Sequence, residues 1–196
     1  MASEKERDTR SWKQSTVLYV HDLMWMLLTV MVLFLIAFRV IVVTQNSMFS
    51  TLWDGDYLLL VSNLFSGKPE QGDIVVISKQ SYENGKPIVK RVIATEGQTV
   101  DIDFDSGIVY VDGAVLEEPY LQQRTNNSEG TVFPLTVEEN CIFVLGDNRA
   151  VSLDSRSPQI GQIDRREVLG KAIFLMIPGT HHGQYLPDYS RIGMIK

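Results

Sequence analysis

A chain of 196 residues has room for one membrane anchor and one domain of ordinary size, which can bury a core without metal or disulfide staples. Its formal net charge of −6 argues against a nucleic-acid partner, because phosphate binding needs a basic face. Cys141 is the single cysteine, which excludes an internal disulfide and a cysteine-rich zinc site and says nothing about compartment.

Residues 1–22 are polar and carry Lys5, Arg7, Arg10 and Lys13. The run LMWMLLTVMVLFLIAFRVIVV follows, over residues 23–43. At 1.5 Å per residue roughly 21 positions span about 30 Å, the thickness of a bilayer core. Its one charge, Arg39, lies near the end, where a long side chain snorkels to the headgroups. A buried helix of a soluble protein would need a larger surrounding domain. A cleaved signal peptide would have a shorter apolar core and a small-x-small site after it. The sequence therefore predicts a retained transmembrane helix over 23–43. The basic residues before it favour a cytoplasmic N-terminus, with everything after Val43 on the extracytoplasmic side of the cell membrane.

Beyond Val43 the texture is β. The runs DYLLLVS, DIVVIS, PIVKRVIA, GQTVDIDF, GIVYVDG, NCIFVLG and GKAIFLMIP are mostly separated by Gly, Asp, Asn or Pro, the punctuation of strands and turns. A short helical turn is expected at Asp164 to Val168. Residues 44–94 and 140–179 are expected to form the main β-domain. Residues 95–139, richer in acids and loop residues, form an inserted β subdomain. The tail, 180–196, is polar and irregular, and its His181-His182 pair is expected to be solvated rather than a metal site. The fold class is mainly β behind a single N-terminal helix, with no cofactor and no metal.

Ser47 stands just after the apolar run, and no histidine lies near it in sequence: His21 precedes the run, and His181 and His182 are close to the C-terminus. A serine nucleophile then needs another base, and a neutral lysine serves. With a pKa near 10.4, only about one free lysine in two thousand is neutral at pH 7. Apolar burial raises that fraction by disfavouring the charged form. Lys90, in PIVKRVIA, is the best placed, since strand alternation puts Ile88 and Val92 on its face and turns Arg91 away. Lys68, Lys79 and Lys86 lie in turn-like stretches, and Lys171 at a strand entrance. The competing reading of Lys90 is an edge-strand lysine that blunts aggregation. A third stretch, LGDNRAVSLDSRSPQIG over 145–161, packs acids, arginines and serines into a glycine-bounded loop after a strong strand; alone, it reads as a surface loop with an Asp–Arg pair.

Together these segments, in this order behind one anchor, resemble bacterial type I signal peptidase, the membrane-bound Ser/Lys enzyme of protein export. The family's S-M-x-P-T-L followed by G-D is matched by Ser47-Met48-Phe49-Ser50-Thr51-Leu52 and Gly55-Asp56. Its next Gly-Asp-strand element is matched from Gly72 to Val76, its K-R-V-I by Lys90 to Ile93, and its G-D-N-R-x-x-S-x-D-S-R by Gly146 to Arg156, with Gly161 beyond. The resemblance implies a β-rich catalytic domain that cuts signal peptides from exported preproteins after small residues at −1 and −3. It implies Ser47 as nucleophile, Lys90 as base, Ser152 orienting the lysine, and the Ser47 backbone N–H as one oxyanion donor. It implies apolar substrate pockets at Val43, Met48, Leu52 and Val89, and structural ion pairs from Arg91, Asp147, Asp154 and Arg156. The partners implied are signal peptides and the lipid bilayer.

Departures are Ser50 in place of the proline, Gln45 where serine or glycine is common, and Ala94-Thr95-Glu96-Gly97-Gln98 in place of G-x-P-G-D. The spacing from Arg156 to Gly161 is also longer than usual. Gln45 is a candidate second oxyanion donor through its side-chain amide. The alternatives are a catalytically impaired relative that binds exported segments, and a self-cleaving regulator, which would carry a DNA-binding or partner domain in place of the anchor.

Overall fold

A computed structural model describes residues 2–180 and 186–195, so His181 and His182 lie outside the described residues. The chain divides into two compact units, one up to Phe38 and the other from Arg39 onward. The first is a helix, α1 (Ala2–Ala37), in which Ser15–Ala37 has a mean hydropathy of 2.1. Among the described residues this is the one helix long and apolar enough to cross a membrane, and its side chains from Ser15 to Ile36 are exposed. The expected helix over 23–43 is corrected at its end. Helix gives way at Phe38 to a strand, β1 (Phe38–Val42), which pairs with β2 (Tyr57–Ser62) at a sheet edge. Three of its five residues (Val40, Ile41 and Val42) are β-branched, and a ladder partner satisfies the backbone as well as a helix would. Arg39 is thus an exposed strand residue, not the last charge of a helix.

The second unit is all β. After β2 come β3 (Ile74–Ile77), β4 (Ile88–Thr95), β5 (Thr99–Asp103), β6 (Ile108–Val111), β7 (Ala114–Val115), β8 (Leu135–Thr136), β9 (Cys141–Leu145), β10 (Ile163–Asp164), β11 (Val168–Ile177) and β12 (Gly193–Met194). Each of the seven apolar runs forms a strand. The main sheet has the order β1-β2-β11-β3-β4-β9-β10, with β12 on β11. The second sheet, β7-β6-β5-β8, is drawn wholly from residues 99–136. Its Val100, Ile102, Val109 and Val111 pack with Ile93, Ala94, Phe143 and Leu145, so the small sheet rests on β4 and β9 of the large one. The turn expected near Asp164 is a 3₁₀ turn, Arg165–Glu167, closed by a capping box between Asp164 and Glu167.

Asp56 of the first Gly-Asp pair is fully buried and does more than turn the chain. It accepts the backbone N–H groups of Trp53 and Gly179, each at 2.7 Å, and both terminal nitrogens of Arg191, at 3.0 and 2.7 Å. The Arg191 guanidinium also lies 3.8 Å over the Trp53 ring. The tail, expected to be irregular, therefore contributes a turn at Tyr189–Arg191 and a strand, because a buried carboxylate draws its arginine in. Asp56→Ala strands Arg191 and two N–H groups, and should destabilise the full chain in detergent by about 3–5 kcal/mol, read from the denaturant midpoint. Arg191→Ala should cost less, since Asp56 keeps its two backbone donors.

Candidate active site

The turn that carries Ser47 is closed at its base by Val43 and Asp56: Val43 N–H donates to Asp56 O at 2.9 Å, and Gly55 N–H to Val43 O at 2.8 Å. Inside it, Leu52 N–H donates to Met48 O at 2.8 Å. Met48 and Leu52 are fully buried and share a core cluster with Val43 and Val89, which pulls the turn onto the sheet. Ser47 is left at the rim of that cluster, 8 % exposed.

Lys90 lies on β4 between β3 and β9, opposite Val75. The edge-strand reading of this lysine falls, because β4 is interior. Ile88 and Val92 share one core cluster while Val89 belongs to another, as strand alternation requires. Lys90 is 1 % exposed, and its Nζ lies 2.7 Å from Ser47 Oγ. Burial brings its pKa down from the usual 10.5 to about 8. Asp154 opposes that shift, Arg156 reinforces it, and Glu129 and Asp147 oppose it further.

Asp147 ties the three motif segments together. Its carboxylate accepts Nε and Nη2 of Arg91 at 2.9 and 2.8 Å, next in sequence to the lysine, and the Thr51 hydroxyl from the Ser47 turn. Asp154 and Arg156 pair with each other, at 2.9 Å on both Nε and Nη2. Asp154 also accepts the Gly146 N–H at 3.0 Å, and Arg156 donates to the carbonyls of Arg149 and Ser152. One end of Arg156 reaches Glu129, 3.3 Å away.

Ser152 is buried, yet its Oγ has no hydrogen-bond partner. The expected bond to Lys90 is not made, since the amine is aimed at Ser47 Oγ and the Ser152 hydroxyl packs on the Cα side of Gly146. A Cβ built on Gly146 would stand 2.1 Å from Ser152 Oγ and 2.5 Å from the Ser47 carbonyl oxygen. Close approach, not backbone dihedral, demands glycine there.

A cleft of about 280 Å³ opens beside Ser47, between residues 41–45 and residues 86–89. Val43 and Val89 line it, and so does the exposed Gln45. Met48 and Leu52 do not; they lie in the core beneath. The residues that sequence reasoning missed are Thr51, Asp56, Arg149 and Glu118. Thr51, Asp56 and Arg149 stand inside the quoted motifs, and all three are engaged by partners from elsewhere in the chain.

The site is thus a buried lysine amine on a serine hydroxyl, next to a cleft walled by Val43 and Val89, in a β-domain. The sequence model of the family described as "Signal peptidase, peptidase S26" matches residues 16–177. "Probable signal peptidase I-1" of Synechocystis sp. is 35% identical over 149 residues, 72% of this chain and 72% of its own. "Signal peptidase I T" of Bacillus subtilis is 30% identical over 190 residues, 91% of this chain and 96% of its own. A solved signal peptidase I from Enterococcus faecalis is 34% identical, over 53% of this chain and 96% of that one, with a TM-score of 0.43. The chain belongs to the type I signal peptidase family, the S26 serine endopeptidases.

Gly146→Ala should push the Ser47 carbonyl and Ser152 apart and cut turnover at least about tenfold, since ångström-scale misplacement of a reacting group costs up to about a hundredfold. Steady-state cleavage of a preprotein, measured well below the melting temperature, checks this.

Proposed function

We propose that this chain is a membrane-anchored endopeptidase in which Ser47 and Lys90 cut signal peptides from exported preproteins after small residues at −1 and −3. The 2.7 Å contact between Lys90 Nζ and Ser47 Oγ, at a buried amine, is the observation that carries the reading. The substrate binds extended along residues 41–45, adding a strand to a sheet whose edge is β1. Alternate side chains of an extended peptide face one way, so the residues at −1 and −3 enter the cleft together. Val43 and Val89 give the cleft an apolar wall that suits small apolar side chains.

Neutral Lys90 takes the Ser47 proton as Oγ attacks the scissile carbonyl. The oxyanion that forms is held by the Ser47 backbone N–H, with the Gln45 amide as second donor. Lys90 then returns the proton to the leaving amine, and the C–N bond breaks to give an acyl-serine and a free mature N-terminus. Water, deprotonated by the same amine, attacks the ester carbonyl and releases the signal peptide. Ser152, Asp154 and Arg156 set the loop against which the amine packs.

Residues 15–37 anchor the enzyme with its N-terminus in the cytoplasm and its catalytic domain outside. Ser47 follows the anchor in sequence by little more than one strand, and a signal peptide's cut site follows its own apolar core just as closely. Enzyme and substrate tethered in one membrane meet at raised effective concentration. An impaired binding protein is disfavoured, because a buried, strongly perturbed amine on a serine hydroxyl is costly without chemistry.

Ser47→Ala and Lys90→Ala, purified in detergent, should each lose more than about a thousandfold in preprotein cleavage. Wild-type rates in either variant would overturn the proposal. A second measurement is the pH profile. With the amine near 8, kcat/KM should fall about tenfold per unit below that pH and level off above it. Stability carries the matching sign. The unfolded lysine titrates near 10.5 and the folded one near 8, so the unfolded state binds more protons between them, and stability should rise with pH across that window. Lys90→Met should flatten that rise.

A further inference from the structure

The small β subdomain sends a strap, residues 116–131, back over the loop that carries Gly146, and its contacts there are to buried arginines. Tyr120 stacks 3.9 Å from the Arg91 guanidinium, and the Asn127 carbonyl accepts from Arg156 at 3.1 Å. The tightest set is on Arg149, whose side chain is only 1 % exposed. Its Nη1 and Nη2 donate to the two carboxylate oxygens of Glu118, Nη1 also donates to the Thr125 hydroxyl, and Nε donates to the Gly146 carbonyl at 3.0 Å. All the guanidinium's named partners are thus one backbone carbonyl and two strap side chains.

That carbonyl belongs to the residue packed directly on the nucleophile. The Gly146 Cα leaves no room for a methyl beside the Ser47 carbonyl, Asn148 N–H donates to that same carbonyl at 2.9 Å, and Asn148 Nδ2 donates to the Asn46 carbonyl at 3.1 Å. Residues 146–149 are therefore a small platform that fixes the backbone of Ser47, and Arg149 is the pin that fixes the platform. We infer that Glu118, with Thr125, is a positioning residue for Ser47, acting through Arg149 on the Gly146 carbonyl. The inserted subdomain is then part of the catalytic apparatus, and its contribution is to hold the nucleophile's main chain rather than to touch substrate. The inference rests on the Ser47–Lys90 reading.

The test separates positioning from bulk stability. Glu118→Gln leaves Arg149 buried beside a neutral amide and should lower both the melting temperature and kcat, with kcat down at least about tenfold and KM within about twofold. The pair Glu118→Gln with Arg149→Met removes both charges, and should recover the melting temperature because no unpaired ion stays buried. Its kcat should remain at the low value, since the Gly146 carbonyl has still lost its donor. Thr125→Val, which deletes one hydroxyl at nearly constant volume, should stay folded and lose several-fold in kcat alone; it decides the matter if the double variant does not fold. Recovery of kcat together with the melting temperature in the double variant, or wild-type kcat in Thr125→Val, overturns the inference. Lys90→Ala runs beside these with the full chain in detergent. If Lys90→Ala cleaves like wild type, the Ser/Lys reading falls and takes the inference with it; if Lys90→Ala is dead while the double variant turns over normally, only the positioning role is lost.

Discussion

A lysine amine whose charged form burial disfavours is the constraint around which this β-domain is arranged. Moving the pKa from 10.5 to about 8 withdraws about 3 kcal/mol from the ammonium form, at 1.36 kcal/mol per unit. The site must supply that desolvation and yet leave the amine within reach of a hydroxyl. An interior strand meets both demands. β4 has neighbours on both edges, and its residues from Ile88 to Ala94 are buried, so water is excluded from either side. A nucleophile of the proposed kind cannot sit on such a strand, because substrate would have to reach it; Ser47 does not. It lies instead on a turn beyond an edge strand, pressed down by Met48 and Leu52 until its hydroxyl meets the amine.

Burying one amine forces decisions about the charges around it. Four other ionised groups, Arg91, Asp147, Asp154 and Arg156, are buried nearby, and each is paired. Buried ion pairs add little net stability, but removal of one member is severe because it leaves the other bare. Their use here is geometric. Asp147 joins Arg91, the neighbour of the lysine, to Thr51 on the Ser47 turn, so serine and lysine segments are registered by a common carboxylate. Asp154, paired to Arg156, holds the Gly146 N–H, which brings the loop backbone down onto Ser47. The balance of charge also matters to the amine. Asp154 raises the lysine's pKa and Arg156 lowers it, so the pair moderates burial rather than adding to it.

Much of this was legible in the sequence. The strands read out because apolar runs were punctuated by turn residues, and Lys90 read out because its strand offered apolar neighbours at i±2 while no histidine lay near Ser47. The end of the helix did not read out. Residues 23–43 are apolar except for Thr29 and Arg39, and so few polar residues set no periodicity to distinguish helix from strand, so the switch at Phe38 is decided by pairing with β2. The tail failed for a related reason: Arg191 is ordered by Asp56, 135 residues away, and nothing local marks the partner. Glu118 stands 31 residues from Arg149 in what looks like an ordinary acidic loop. Ser152 was given a role by resemblance alone, and the structure leaves its hydroxyl unbonded against Gly146.

Those failures share a physical pattern that bears on how the enzyme is built. Local rules capture what a residue does to its own segment, whereas a catalytic site is an agreement among segments far apart in the chain. Here the agreement is enforced by ions drawn into the interior, each reaching from one segment to another. Such contacts are directional and short, unlike apolar packing, which tolerates sliding. In the proposed mechanism a hydroxyl and an amine must stay within hydrogen-bond distance while a peptide strand docks beside them, so a directional brace suits the task better than a greasy one. The small β-sheet fits the same logic. By resting on β4 and β9 and lending Glu118, Tyr120 and Thr125 to buried arginines, it braces the segments that carry Lys90 and Gly146.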